Sequence, residues 1–229
     1  MITLCIETAS ARAGIALTRN GQLVAETLQD APGGLQNRLL LPLLKQLLSN
    51  SSLSIADVDL FACAAGPGSF TGIRTGIAAV QGLALACNKP CVAVSSLAML
   101  AMNLPHIGLS VCPMLDARKN EIYTALYRVT NVPEAVVSDC VTAPADFLRH
   151  LTSPTVFLGD GAARYHDLIV EHLGANASFA PSFLSAPRPA AACRLAEIQY
   201  LDLGAVQPEQ LLPTYLRLSE AELSRQQKI

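Results

Sequence analysis

Charge is scarce in this 229-residue chain. Only 15% of its residues are Asp, Glu, Lys or Arg, against about a quarter in an average soluble domain. A deficit of that size implies a large core, a large partner surface, or both. Basic runs are absent and the net charge is −2, which argues against a strong nucleic-acid binder acting alone. No Cys-x-x-Cys pair occurs among the seven cysteines, at 5, 63, 87, 91, 112, 140 and 193. An odd, scattered set reads as reduced thiols in the core of a cytosolic protein, not as a disulfide framework. Residues 90–115 carry no Asp, Glu, Lys or Arg. Pro90, Pro105, Pro113, Asn103 and several serines interrupt them, so a membrane helix is not expected there. The opening MITLCIETAS lacks a basic flank and carries Glu7, which argues against a signal peptide.

What is present is apolar: 51% of the residues are hydrophobic, enough for one large domain or two small ones. The chain is organised around Gly66-Pro67-Gly68-Ser69-Phe70-Thr71-Gly72-Ile73-Arg74-Thr75-Gly76. The apolar run 58–65 before it predicts a buried strand, and the run 77–86 after it a buried helix. Glycines at such a junction do one of two jobs. They bring a backbone up to a phosphate or carboxylate, or they let one helix approach another closely.

Upstream, residues 2–6 read as a first strand and 14–18 as a second. Asn20-Gly21 predicts a two-residue hairpin, which makes 22–28 a third antiparallel strand. A helix is expected over 35–48. Its leucines, at 35, 39, 43 and 47 and also at 40, 41, 44 and 48, cover more of its circumference than the single stripe of a surface helix. One side can pack on a sheet and the other needs cover, with Pro42 bending the helix. In the helix from about Thr71 to Ala86, Gly72, Gly76, Ala79, Leu83 and Ala86 line a small-residue row, which either admits another helix or serves packing inside the fold. Beyond Pro105, strands are expected at 109–115, 121–129 and 136–141, and a short helix at 144–151. A second strand–glycine turn–helix junction follows at Val156–Ala163, containing Gly159-Asp160-Gly161. His166 and His172 read as surface histidines, six residues apart and on different faces. A last helix is expected at 188–203, and a polar tail at 219–229, helical or frayed.

The string GPGSFTGIR, entered from a buried strand, resembles the signature of the TsaB (YeaZ) family. That family is related to TsaD and to the actin, Hsp70 and sugar-kinase superfamily. Asp116-Ala117-Arg118 followed by Glu121-Ile122-Tyr123, and Pro213-Thr214-Tyr215-Leu216-Arg217, match two further family motifs. The resemblance implies an α/β fold of two ribonuclease-H-like lobes, each a mixed sheet flanked by helices. The lobes would be residues 1–104, with 211–229 returning to them, and a smaller 105–210. It implies a non-catalytic scaffold that binds TsaD for threonylcarbamoylation of N6 of the adenosine next to the anticodon in tRNA. It further implies TsaE as a partner, a homodimer when alone, tRNA contact only through the complex, no membrane and a cytoplasmic location.

The implied partner face is Leu35, Leu39, Leu43 and Leu47 of one helix with Phe70, Gly72, Ile73, Gly76, Ala79, Val80 and Leu83 of the next. On this reading Gly76→Arg abolishes association and leaves a soluble monomer. Most family members carry Asp-Thr-Ser where this chain has Ile6-Glu7-Thr8-Ala9-Ser10, and a His-Ser-Glu stretch where it has Gln36-Asn37-Arg38. The two metal-binding histidines of TsaD align with Ser96 and Leu100, so neither a metal nor a cofactor is expected. Glu7, Thr8 and Ser10 with Gly66 and Gly68, and Gly159, Asp160 and Gly161, form a vestigial phosphate or nucleotide site or, alternatively, polar and tight turns. Asp116 and Arg118 either pair with each other or line the cleft.

Two rival activities are open to a chain of this kind. An ATP-dependent phosphotransferase of the actin superfamily needs phosphate turns, a metal carboxylate and an adenosine pocket. Glu7 and the two glycine turns supply part of that set, but no glycine-rich adenosine motif follows. A peptidase would use Ser69, yet a nucleophile elbow needs glycines two before and two after the serine. Pro67 and Thr71 stand there. Ser69 and Thr71 are better suited to cap the following helix.

Overall fold

In the computed structural model, residues 1–31 and 34–217 are described. Gly33, just before the helix expected at 35–48, and the tail 219–229 lie outside them. The first sheet is built from β1 (Ile2–Glu7), β2 (Arg12–Arg19), β3 (Gln22–Asp30), β4 (Leu60–Gly66) and β5 (Cys91–Ser95). Its order is β3-β2-β1-β4-β5, with β1–β2 and β2–β3 antiparallel and β1–β4 and β4–β5 parallel. The second sheet uses β6 (Ser110–Arg118), β7 (Glu121–Val129), β8 (Pro133–Thr142), β9 (Thr155–Leu158) and β10 (Ala177–Phe179). Its order, β10-β9-β6-β7-β8, repeats the first: a meander of three, then two parallel strands on the far side of the first strand. The expected pair of mixed-sheet lobes is therefore present.

The hairpin between β2 and β3 turns where Asn20-Gly21 predicts it. Both residues have positive φ, 52° and 79°, the geometry that Asn-Gly adopts at least cost. Tight β6–β7 reversal comes later than expected: β6 runs on to Arg118, and Arg118, Lys119 and Asn120 all turn with positive φ.

Helices α1 (Gln36–Asn50), α2 (Phe70–Cys87), α3 (Ser96–Ala101), α4 (Pro144–Leu148), α5 (Asp160–Arg164), α6 (His166–Leu173) and α7 (Pro189–Leu203) complete the chain. Side chains alternate across β1, and the two faces of that strand meet different helices. Ile6 and Thr8 lie against Gly76 of α2. On the other face, Cys193 of α7 packs in the same core as Cys5 and hydrogen-bonds Thr3 O and Ala16 O. Cover on both sides explains why β1 and β4 are buried along nearly their whole length.

The division at 105–210 placed α7 with the second sheet, but its contacts are with the first. Thr18 of β2 donates its hydroxyl to Glu197 Oε1 at 2.6 Å, both residues being buried. A hydrogen bond to a charged group in such a setting contributes about 1.5–3 kcal/mol. Glu26 of β3 pairs with Arg188 and accepts from the Ala190 amide at 2.9 Å, a carboxylate at the positive end of the helix. Helix α3 faces both sheets. Its Leu97, Leu100 and Ala101 form one core with Val111, Tyr127, Val129 and Leu158 of the second sheet, and Met99 joins the core of the first.

Candidate functional site: the glycine junction and the outer face of two helices

β4 ends at Gly66 and α2 begins at Phe70. Ser69 is the N-cap, accepting from the Gly72 amide at 3.3 Å, while its own amide donates to Ala9 O at 2.7 Å. The serine therefore works as the cap its position suggested, and its hydroxyl is directed to the backbone. Thr71 lies inside the helix, where its carbonyl accepts from Thr75 Oγ1 at 2.9 Å.

At this junction the glycines serve internal packing, not a phosphate or a partner helix. A Cβ on Gly72 would lie 1.9 Å from Thr8 O, on Gly68 2.4 Å from Ala9 O, on Gly66 2.6 Å from Thr214 O, and on Gly76 2.6 Å from Thr8 Oγ1. The missing side chains make room for the chain's own backbone and, at Gly76, for the Thr8 side chain. They press the turn after β1 and the segment at Thr214 onto the start of α2. Two of the amides at this turn, those of Ser69 and Gly72, are engaged within the chain. The second junction follows the same rule. A Cβ on Gly159 would lie 2.1 Å from Met114 O, and Asp160 Oδ1 accepts from the amides of Asp116 and Gly161 at 3.0 and 2.9 Å.

Glu7, the last residue of β1, is fully buried where the first turn begins. Its carboxylate accepts from Ser10 N and Ser10 Oγ, each at 2.9 Å, so it closes the turn on itself. Burial raises its pKa to about 7, against the lowering effect of those Ser10 donors. Asp116 accepts from the Arg118 amide at 2.9 Å, but its ion pair is with Arg164, at 2.6 Å, not with the Arg118 side chain. Ser96 and Leu100 are both fully buried in α3, within the fold. Burial pushes up the thiols of Cys5, Cys63, Cys91, Cys112 and Cys193, the reverse of what a reactive cysteine needs. His166 and His172 are exposed on α6.

Five residues assigned to a partner face are instead covered by this chain. Gly72, Ile73, Gly76 and Val80 point inward from α2, and Leu47 inward from α1. Gly76→Arg would therefore collide with Thr8 and disturb the fold before any association. Leu39, Leu43, Phe70, Ala79 and Leu83 are half-buried and Leu35 is exposed. The outward stripe of α2 is Thr71, Arg74, Ala78, Gly82 and Leu85, about one residue, or 100°, around the helix from the row predicted. On α1, Leu41 is 64% exposed. Thr75 Oγ1 and Asn37 Oδ1, 2.5 Å apart, join the two helices. A shallow recess of about 370 Å³ lies on this side, lined by Phe70, Thr71, Arg74, Thr75 and Ala78.

Sequence reasoning recognised the closing motif 213–217 without seeing what it does. It is a strap across the junction. Thr214 N donates to Ala65 O at 2.8 Å, and the Tyr215 ring stacks on Phe70 with centroids 4.1 Å apart and planes at 5°. Arg74 lies over Phe70 and donates to the Tyr215 hydroxyl at 2.8 Å. Arg217 reaches the second sheet, pairing with Glu121 at 2.5 Å and donating to Ala117 O at 2.9 Å.

A tRNA threonylcarbamoyladenosine biosynthesis protein TsaB from Bacillus subtilis is 33% identical to this chain, over 97% of this chain and 96% of its own length. The chain belongs to the TsaB (YeaZ) family. The Escherichia coli TsaB is 35% identical over 73% of this chain and 75% of its own length. The solved structure of YeaZ from Pseudomonas aeruginosa superposes with a TM-score of 0.79 and 28% identity, covering 94% of this chain and 99% of that one. The family model for TsaD, tRNA N6-adenosine threonylcarbamoyltransferase, matches residues 36–224. This chain is thus similar in sequence to the transferase family over most of its length. A hexokinase from Thermus thermophilus, at a TM-score of 0.50 and 9% identity, shows the same actin-like architecture and nothing further.

Proposed function

We propose that this chain is a non-catalytic subunit in tRNA threonylcarbamoyladenosine biosynthesis, and that it binds TsaD through the outer face of α1 and α2. One observation carries the reading. α2 is long and apolar enough, by length and composition, to cross a membrane, yet only a third of it is buried in the fold. Its open stripe is small at Ala78 and Gly82, where a Cβ added at Gly82 would meet nothing, with Arg74 on one side and exposed Leu85 on the other. Such a stripe lets another helix backbone approach closely, and exposed Leu41 beside it supplies apolar area. The glycine turns, taken up with packing the fold, lend no support to a phosphotransferase. The cap made by Ser69 lends none to a peptidase.

On this reading the same face serves self-association when TsaD is absent. TsaE joins the assembled pair, tRNA is reached only through the complex, and the work is done in the cytoplasm. The test is to mix the purified chain with TsaD, measure the mass of the complex by light scattering and follow tRNA modification. The wild type forms a heterodimer and stimulates modification. Ala78→Arg, on the open face, keeps the fold and loses both. Normal pairing by Ala78→Arg would rule out this face, and modification by TsaD at full rate without the chain would rule out the scaffold role.

A further inference from the structure

The two sheets are joined at more points than chain connectivity requires. At one point Asp139, on the edge strand β8, is held between the halves. Ser95, the last residue of β5 and the N-cap of α3, donates its hydroxyl to Asp139 Oδ2 at 2.5 Å. Tyr127 of β7 donates to the other oxygen, Oδ1. Tyr127 is buried, and burial together with the Asp139 charge raises its pKa, which keeps its hydroxyl proton in place. At a second point Arg217, on the strap anchored to Ala65 and Phe70, grips Glu121 and the Ala117 carbonyl at the β6–β7 turn. Glu121 and Tyr127 are six residues apart on β7, a separation of about 20 Å along a strand. A single contact is a pivot, whereas two contacts that far apart leave only rotation about the line that joins them. α3 then packs apolar side chains on both sheets. Asn103 Nδ2 donates to Leu184 O at 2.7 Å and Ala186 O at 2.8 Å, fixing the segment that returns from the second sheet to α7.

We propose that the Ser95–Asp139–Tyr127 and Arg217–Glu121 clasps, together with α3 packed on both sheets, lock the two halves at one angle, so that this chain does not open and close as a hinged enzyme does. Asp139 and Arg217 are positioning residues: they touch no reacting group and act by fixing where one sheet stands relative to the other. The inference concerns the isolated chain and stands or falls independently of TsaD binding. Hinge closure is the ordinary means by which two-lobed proteins trap a ligand. A locked angle suits a part whose surface must present one shape.

Residual dipolar couplings measured on the isotopically labelled chain test this directly. Couplings from the two sheets of the wild type should fit a single alignment tensor. In the double variant Asp139→Ala with Arg217→Ala, the couplings within each sheet should still fit the fold while the common tensor is lost. If that variant fails to fold, Asp139→Asn with Glu121→Gln weakens the same two clasps without opening a cavity, and is read the same way. A wild type that needs two tensors of unequal magnitude would overturn the proposal, as would a folded clasp variant that keeps one.

Discussion

Thr8 donates its hydroxyl to the carbonyl of Gly72 at 2.8 Å, and the carbonyl of Thr8 leaves no room for a side chain on Gly72. This reciprocal contact joins the turn after β1 to the first turn of α2. Gly72→Ala should therefore cost about 3 kcal/mol or more, the scale of a strained core substitution. Gly82→Ala, on the open side of the same helix, should stabilise by about 0.5–1 kcal/mol through helix propensity alone. Urea denaturation of both variants checks this. A Gly72→Ala chain as stable as the wild type would refute the close approach.

Glu7 gives the fold a pH dependence of unusual sign. In the unfolded chain its carboxyl titrates near 4.5, and in the folded chain at about 7. The folded state thus holds the proton more tightly. The stability this contributes is fully present below pH 4.5 and is lost as pH rises through 7, on the order of 3 kcal/mol in all. Glu7→Gln removes the group and flattens this part of the profile. The stability difference, wild type minus variant, should fall steadily between pH 5 and pH 7 and level off by pH 8. A difference that stays constant over that range would mean that Glu7 ionises normally.

Ser69→Ala separates capping from chemistry. Loss of the bond to the Gly72 amide should cost about 1 kcal/mol of stability, read from the same denaturation curves. tRNA modification by the assembled complex should be almost unchanged. A severe loss of modification in a stable variant would give Ser69 a chemical role.

The strap can be weakened one interaction at a time. Tyr215→Phe keeps the stack on Phe70 and removes the acceptor for Arg74, at an expected cost of about 0.5–1 kcal/mol. Tyr215→Ala also loses the ring. It should cost about 1–3 kcal/mol in all, since aromatic stacking and the neighbouring guanidinium each add to the buried area. Equal effects from the two variants would show that the stack contributes nothing.

Local signals in the sequence carried most of the strands and helices, because their causes are local. Asn20-Gly21 makes its turn from two backbone conformations, and Ser69 caps the helix that begins beside it. The candidate site was less legible. The row Gly72, Gly76, Ala79 reads as smooth in the sequence whichever way it faces. Only the approach of Thr8, 64 residues away from Gly72, shows that its glycines are small for an inward reason. That moves the open stripe on to Thr71, Ala78 and Gly82. The clasp at Asp139 joins three strands that periodicity cannot bring together. The attachment of α7 to the first sheet depends on contacts such as Thr18–Glu197, 179 positions apart, for which composition and spacing carry no signal.

That attachment has a consequence during synthesis. The face of β1 and β2 opposite α1 and α2 is covered by residues 189–203, in a chain of 229. Until the last of those residues leaves the ribosome, one side of the first sheet has no lid, and the nascent chain carries a bare apolar surface through most of its elongation. Because the early strands wait for the late helix, their burial is slow to complete and exposed to aggregation. A chain truncated before residue 189 should be recovered with holdase chaperones rather than as a folded fragment.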